Sequence, residues 1–326
     1  MEAIICTKYG GPEALQCMEV EKPVPKDNEV LIRIYATTVT RGDTRIRGFD
    51  VPLSFWIPAR LALGLTKPRK DILGNELAGV VESVGKDVTL YKKGDQVVAS
   101  TGMSLGTYAE YKCLPQDAVI VKKPINITFE EAAAIPIGGR TALHFLRKAN
   151  IQQGQKVLIY GASGSVGTYA VQIAKHFGAE VTGLCSTTNI ELIKSLGADK
   201  VIDYINEDFT KSREVYDVIY DTVGKSSVSD CIKSIKKNGV YLQSGTPAVN
   251  FKILWNSMTS DKKIVKEHAP EKVEDLLYLK ELVETNKIRP IIDQVFTLEE
   301  IEKAHRYVDK GRKKGNVVIT ISQNVK

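Results

Sequence analysis

Seven consecutive residues, Gly161-Ala162-Ser163-Gly164-Ser165-Val166-Gly167, carry the clearest chemistry in the chain. A buried-strand pattern, Lys156 to Tyr160, runs straight into them. A helical pattern over Ser165 to Phe177 follows, with Val166, Ala170, Ile173 and Ala174 on its inner face. In that setting glycines allow a tight turn, close approach of backbone to a pyrophosphate, and close helix-to-strand packing. The helix start then directs unpaired N–H groups and the positive end of its dipole at phosphate. Ala162 stands where the usual Gly-x-Gly-x-x-Gly has its first glycine, with Gly161 ahead of it. The expected dinucleotide contacts are Gly161, Ser163, Gly164, Ser165, Val166 and Gly167. A Gly-rich turn in a non-binding α/β domain is the plain alternative.

The end of the next strand, Glu180 to Cys185, bears on which dinucleotide. An NAD site places Asp or Glu there to hold the ribose hydroxyls, whereas this chain has Gly183-Leu184-Cys185-Ser186-Thr187-Thr188-Asn189. A carboxylate at this point would repel a 2′-phosphate by roughly 4 kcal/mol at close range in a partly exposed site. The hydroxyls of Ser186, Thr187 and Thr188 can instead donate to one, so NADPH is expected over NADH. The segment holds no Arg or Lys, and Ser and Thr also cap helices.

These residues sit in a strand–helix alternation from about 125 to 245. Lys200–Tyr204, Tyr216–Asp221 and Val240–Gln243 are further buried runs, and Asn189–Leu196 a further helix stopped by Gly197. Apolar runs between amphipathic helices predict a parallel, doubly wound sheet covered on both faces. Before residue 124 the pattern differs. Short β runs (Val30–Val39, Leu77–Val84, Gln96–Ala99, Thr107–Cys113) alternate with glycine turns, as in a mostly β, barrel-like domain. Phe49 to Leu65 is an apolar excursion that reads equally as a core helix or a flap over a pocket. After 270 come a helix over Glu271–Thr285, the run Ile288–Phe296, a helix over Leu298–Asp309 and a strand over Gly315–Ile321 that is expected to return to the first domain. The predicted boundaries are 1–123 with 288–326 for the β domain and 124–287 for the nucleotide domain, with the active cleft between them.

A chain of 326 residues with 43% hydrophobic residues has room for two ordinary cores. The net charge of +6 is spread among acidic residues, and the clusters Lys67/Arg69/Lys70 and Lys310/Arg312/Lys313/Lys314 read as solvated faces, not a nucleic-acid footprint. Five scattered cysteines without a Cys-x-x-Cys form neither a zinc ribbon nor a disulfide framework and suit a reducing compartment. The first residues turn polar too soon for a secretory signal. Val51 to Leu65, broken by Pro52, Pro58 and Arg60, is too short to span a bilayer. A cytoplasmic protein without membrane or nucleic-acid partners is expected.

Motifs along nearly the whole chain resemble the zinc-independent quinone oxidoreductase (zeta-crystallin-like) branch of the medium-chain dehydrogenases/reductases. They include Lys8-Tyr9-Gly10-Gly11-Pro12-Glu13, Val39-Thr40-Arg41-Gly42-Asp43, Leu73-Gly74-Asn75-Glu76-Leu77-Ala78-Gly79 and Gly94-Asp95-Gln96-Val97. Glu130 to Ala134, Gly161 to Gly167, Leu196-Gly197-Ala198-Asp199 and Gly315-Asn316-Val317-Val318 complete the ordered set. The resemblance implies a GroES-like catalytic domain split in sequence, a Rossmann domain binding NADP, and a homodimer. It also implies a role for Tyr204 beside the cofactor's 2′-phosphate, while Asn189 replaces a lysine common there.

Zinc enzymes of this superfamily carry Cys where Thr40 stands and His where Asn75 stands, so no metal site is expected. Quinone reductases of the branch carry Asn at the Thr40 position and often Tyr where this chain has Arg45. The implied chemistry is metal-free hydride transfer from NADPH to a small hydrophobic quinone or α,β-unsaturated carbonyl. Thr141, Val223, Ser244 and Gly245 are expected to contact the nicotinamide, and Thr40 and Arg45 to polarise the acceptor oxygen. Asp43 is expected to orient an arginine, or only to shape a turn. An NAD(P)-dependent alcohol dehydrogenase and a non-catalytic, crystallin-like NADPH-binding protein are the rival readings.

Overall fold

The first sheet follows from alternating apolar residues. In the computed structural model, which describes residues 1–52, 56–212, 214–224, 226–244 and 261–322, β1 (Glu2–Cys6) and β2 (Leu15–Glu19) form an antiparallel pair. β3 (Glu29–Thr38) is followed by helices α1 (Arg41–Gly48) and α2 (Trp56–Leu63), then by β4 (Glu76–Val84), β5 (Gln96–Ser100), β6 (Tyr111–Pro115) and β7 (Ile120–Lys122). Helices α3 (Phe129–Ala133) and α4 (Pro136–Ala149) come next.

The second sheet then begins. β8 (Lys156–Tyr160), α5 (Ser165–His176), β9 (Glu180–Cys185), α6 (Ile190–Ser195), β10 (Lys200–Asp203), β11 (Tyr216–Asp221), α7 (Val228–Lys233), β12 (Ile235–Gln243) and β13 (Lys263–Lys266) alternate along the chain. Helix α8 (Val273–Glu284), β14 (Ile292–Thr297), α9 (Ile301–Asp309) and β15 (Asn316–Thr320) close it.

Two compact units result: Met1–Ile137 with Glu271–Glu284 and Pro290–Lys326, and Gly138–Pro270 with Thr285–Arg289. The expected boundaries at 123/124 and 287/288 differ from these. Helix α3 packs on β3 and β4, and α8 on β7, so both belong to the first unit.

In the first unit the order is β14-β15-β3-β4-β5-β7, with β6 also on β3. Long β3 shifts register against β4 twice, between Leu31 and Ile32 and between Ile34 and Ala36. Such bulges bend a strand, and β3 pairs with β6 over Glu29–Arg33 and with β15 over Ala36–Thr38. Gly79 lies at this bend, where a Cβ would stand 2.1 Å from the Arg33 carbonyl oxygen. The core beneath holds Ile32, Ile34, Leu73, Leu77, Val97, Tyr108 and Ile319. The terminal strand does return to this unit, through β3, as its sequence position suggested.

Two sequence readings differ here. The run Thr107–Cys113 becomes a strand only from Tyr111, because Thr107 turns its hydroxyl to Thr37 inside the core. The excursion Phe49–Leu65 yields α2, whose side chains include no buried residue, so it is not a core helix. Within it, Leu53, Ser54 and Phe55 lie outside the described residues.

In the second unit all neighbouring strands are parallel, in the order β10-β9-β8-β11-β12-β13. The direction of winding reverses between β8 and β11, the switch point at whose carboxyl ends open α/β sheets bind ligands. Strands predicted at Lys156–Tyr160, Glu180–Cys185 and Tyr216–Asp221 occur at those residues.

Candidate active site

The Gly-rich turn sits at the switch point of the second unit. Gly161 leaves β8 with φ +79°, and a Cβ there would lie 2.3 Å from Val223 Cγ2 and 2.8 Å from Thr222 Oγ1, across the gap to β11. Gly167 meets the turn from above, since a Cβ would come within 2.1 Å of the Gly161 carbonyl oxygen. Gly164 differs: its nearest neighbour would be 3.5 Å away, so its missing side chain leaves space open. Gly164 is the N-cap of α5 and offers no side chain to the first N–H groups of the helix. Donors at the start of a three-turn helix are left for an anion, which fits a pyrophosphate.

Beside this turn, Asn189 donates through Nδ2 to Ser163 Oγ at 3.0 Å and Ser186 Oγ at 3.2 Å. Each serine accepts from Asn189 and so has its own hydrogen left to donate, Ser186 either to Thr188 or to a ligand. Thr188 lies 3.4 Å from Ser186, hydroxyl to hydroxyl. Tyr204, 54% exposed, is tied to the same place by its N–H to the Cys185 carbonyl.

Thr187 is different. Its hydroxyl donates to Asp203 Oδ2 at 2.5 Å, so its only hydrogen is already committed. Asp203, at the end of β10, also accepts from Asn206 Nδ2 and from the Ile205 N–H. The bond from Thr187 holds the Asp203 carboxyl below the usual range. The end of β9 carries no carboxylate, as read from the sequence, but the strand beside it does.

Val223 is 39% exposed, and its N–H and that of Gly224 donate to Asp221 Oδ1 at 2.9 and 2.8 Å. Asp221, fully buried and accepting also from Tyr241, therefore shapes the loop that presents Val223. Sequence reading missed Asp221; its signal was a carboxylate at the end of a buried strand. Thr141 lies on α4, where its carbonyl accepts from Tyr220, and Ser244 is buried with its N–H on the Asp221 carbonyl. Gly245 lies outside the described residues.

In the first unit, Thr40 and Asp43 cap α1 reciprocally. Thr40 Oγ1 accepts from the Asp43 N–H at 3.2 Å, and Asp43 Oδ2 accepts from the Thr40 N–H at 2.8 Å and its hydroxyl at 2.5 Å. Asp43 Oδ1 accepts from the Gly74 N–H. Asp43 thus orients Thr40, Gly74 and Tyr108.

A buried chain of fixed polarity ends on it. Arg47 Nη1 can only donate, so His305 Nδ1, 3.1 Å away, accepts. The imidazole hydrogen then sits on Nε2 and donates to the Tyr108 hydroxyl at 3.2 Å, which donates to Asp43. Burial, with Arg47 beside it, pushes His305 down to about 3, so the ring is neutral. Burial pushes Asp43 upward despite its donors. Arg45 lies on α1, partly exposed, with Nε 3.8 Å from Asp50. Next to Asn75, Glu76 is buried, accepts from Thr38 and from the Ile137 N–H, and is pushed up to about 7 by burial.

Residues 26–125 match the family described as alcohol dehydrogenase GroES-like domain, and residues 196–319 match the family described as zinc-binding dehydrogenase. A 2-methylene-furan-3-one reductase of Solanum lycopersicum is 33% identical over 98% of this chain and 79% of its own length. The quinone oxidoreductase from Coxiella burnetii has a TM-score of 0.89 and 30% identity over 99% of both chains. The chain belongs to the quinone oxidoreductase branch of the medium-chain dehydrogenase/reductase superfamily. The Escherichia coli quinone oxidoreductase complexed with NADPH, another member, has a TM-score of 0.84 and 26% identity over 98% of this chain and 100% of that one.

The GroES-like and Rossmann readings of the two units stand, and the chain is an oxidoreductase of this branch. Among the described residues there is no group of three or more His, Cys, Asp and Glu placed to hold a metal ion. No helix among them is long and apolar enough to cross a membrane.

Proposed function

We propose that the protein reduces small hydrophobic quinones and α,β-unsaturated carbonyls with NADPH, without zinc. The observation that carries this reading is the hydroxyl cluster of Ser163, Ser186, Thr188 and exposed Tyr204 beside the uncapped start of α5. That set suits a pyrophosphate with a 2′-phosphate close by. The relatives' printed names, a furanone reductase and quinone oxidoreductases, one of them complexed with NADPH, supply the acceptor class.

The nucleotide supplies a hydride. The protein's part is positioning and charge. Gly161 to Gly167 would hold the pyrophosphate, and Thr141, Val223, Ser244 and Gly245 would fix the nicotinamide ring. Arg45 is the donor assigned to the acceptor oxygen as negative charge develops there. Thr40 can donate to it only when Asp43 takes up a proton, because otherwise its single hydrogen belongs to Asp43. The acceptor gains the hydride at carbon and a proton from water at oxygen or the α carbon, so no metal-activated alkoxide is needed.

A homodimer in the cytoplasm is part of the same proposal. All five cysteines are free, which suits a reducing compartment. Light scattering of the purified chain tests the dimer.

The deciding assay compares 1,4-naphthoquinone and an alkenal with NADPH against ethanol with NADP. Turnover of the conjugated acceptors alone is expected. Robust ethanol oxidation without them would overturn the proposal, and tight NADPH binding with no turnover of any would favour a binding protein.

A further inference from the structure

Helix α2 is built inside out. Its single charged residue, Arg60, turns inward, with the guanidinium carbon 4.0 Å from the Phe49 ring centre, 4.6 Å from Tyr9 and 4.9 Å from Trp56. Arg60 also donates to the Leu65 carbonyl, and the Tyr9 hydroxyl donates to the Gly64 carbonyl at 3.1 Å. The cation lies against three ring faces and donates to one backbone carbonyl, with its buried Nε unpartnered, and the turn after the helix is tied down.

The apolar residues face water instead. Ile57 is 67% exposed, Leu61 61% and Leu65 68%, with Trp56 at 43%. Spacing by four lines up Ile57 and Leu61 on the helix, exposed Pro58 and Ala62 widen the strip, and exposed Leu65 follows in the turn after it. A surface helix ordinarily turns its apolar stripe to the core and its charges to water. A contiguous exposed apolar strip marks a surface that something else covers.

The flank says what covers it. Exposed Lys67, Arg69 and Lys70 follow the strip directly. Lys67 shares its charge with Asp71 at 3.3 Å, while Arg69 and Lys70 form no ion pair among the described residues. Two copies meeting through this face would bring like cations together, which disfavours self-docking. An anionic surface is complementary to both halves.

We propose that α2 and its flank form a docking surface for an anionic lipid bilayer. Trp56, Ile57, Leu61 and Leu65 enter the boundary between headgroups and acyl chains. Arg69 and Lys70 meet the anionic headgroups. Exposed apolar side chains beside a basic cluster combine the two attractions that hold a peripheral protein at an anionic bilayer, and Arg60, turned onto its three rings, keeps its charge off the exposed face of α2. This docking is independent of the reductase reading.

The test uses the full chain with vesicles of phosphatidylcholine alone or mixed with phosphatidylglycerol. The protein has two tryptophans, Trp56 and Trp255, so Trp255→Phe leaves Trp56 as reporter. Sedimentation with the mixed vesicles and a blue shift of Trp56 emission are expected, with weak or no binding to phosphatidylcholine alone. Leu61→Glu, and separately Arg69→Glu with Lys70→Glu, should each weaken binding at least about tenfold. Both replace exposed side chains, so an unchanged thermal midpoint separates lost docking from lost folding. Failure to sediment with anionic vesicles, or equal binding by Leu61→Glu, overturns the proposal. So does self-association without vesicle binding that Leu61→Glu abolishes, which makes the strip an interface between copies. Quinone turnover that fails while vesicles still bind bears only on the reductase reading.

Discussion

Thr187 donates its hydrogen to a carboxylate from the neighbouring strand, so it has none left for a cofactor phosphate. Asp203 is charged and sits one hydroxyl away from the residues proposed to meet a 2′-phosphate. Asp203→Asn removes a like charge and releases Thr187 to donate outward. Fluorescence titration should then show the affinity for NADPH rising about tenfold relative to NADH. Equal shifts for both cofactors would assign Asp203 only to the turn it makes with Ile205 and Asn206. A second residue-scale effect concerns His305. Its folded pKa of about 3 lies below the ordinary 6.5, so the unfolded chain takes up a proton first as pH falls. The stability owed to neutral His305 is therefore complete above about 6.5 and declines towards 3 by up to about 1.4 kcal/mol per pH unit. His305→Gln should be destabilised at pH 7, and its deficit should shrink as pH falls to 5. Urea midpoints for both proteins at several pH values check this, and a deficit that does not change with pH contradicts it.

At the scale of elements, two glycines three residues apart make opposite demands. Gly167→Ala drives a Cβ to 2.1 Å from the Gly161 carbonyl and 2.8 Å from Ala162, with backbone on every side, so the turn must move. A loss of about 1–3 kcal/mol in stability is expected. Gly164 has φ −77°, and a Cβ there has 3.5 Å of clearance. Gly164→Ala should keep its thermal midpoint and lose NADPH affinity, because the methyl fills space left for the pyrophosphate. If Gly164→Ala binds as before, the phosphate is not held at this turn. The same contrast explains what could be read from the chain beforehand. β8, β9 and β11 are continuous apolar runs between turns, a local signal, and they form where expected. Helix α1 has two glycines and no apolar periodicity. Its capping box and the Arg47 contacts with His305 and Asp309, more than 250 residues away, support it, and no window of sequence displays those. The Asp203–Thr187 bond was hidden for the same reason, since strand neighbours in a parallel sheet are remote in sequence.

At the scale of the molecule, the proposal of zinc-free chemistry rests on the metal donors the first unit offers. The first unit contains Thr40 and Asn75 at the positions where zinc relatives place Cys and His. Thr40 is bound to Asp43 through both its N–H and its hydroxyl. The only histidine of that unit, His305, uses Nδ1 for Arg47 and Nε2 for Tyr108. Burial pushes the thiols of Cys6 and Cys113 up to about 11, which works against the thiolate form a zinc ion takes. A zinc ion there would have to break the Arg47–His305–Tyr108–Asp43 chain to recruit the unit's only imidazole, and leaving those buried polar groups unpaired costs about 1–3 kcal/mol each. Purified protein should therefore hold well under one zinc per chain by elemental analysis. Its rate of NADPH oxidation by 1,4-naphthoquinone should stay within about twofold after dialysis against a strong chelator, because polarisation of a conjugated carbonyl needs a hydrogen-bond donor and not a Lewis acid. Stoichiometric zinc, with activity lost on chelation and restored by the metal, would show that the polar chain around Asp43 opens to form a site.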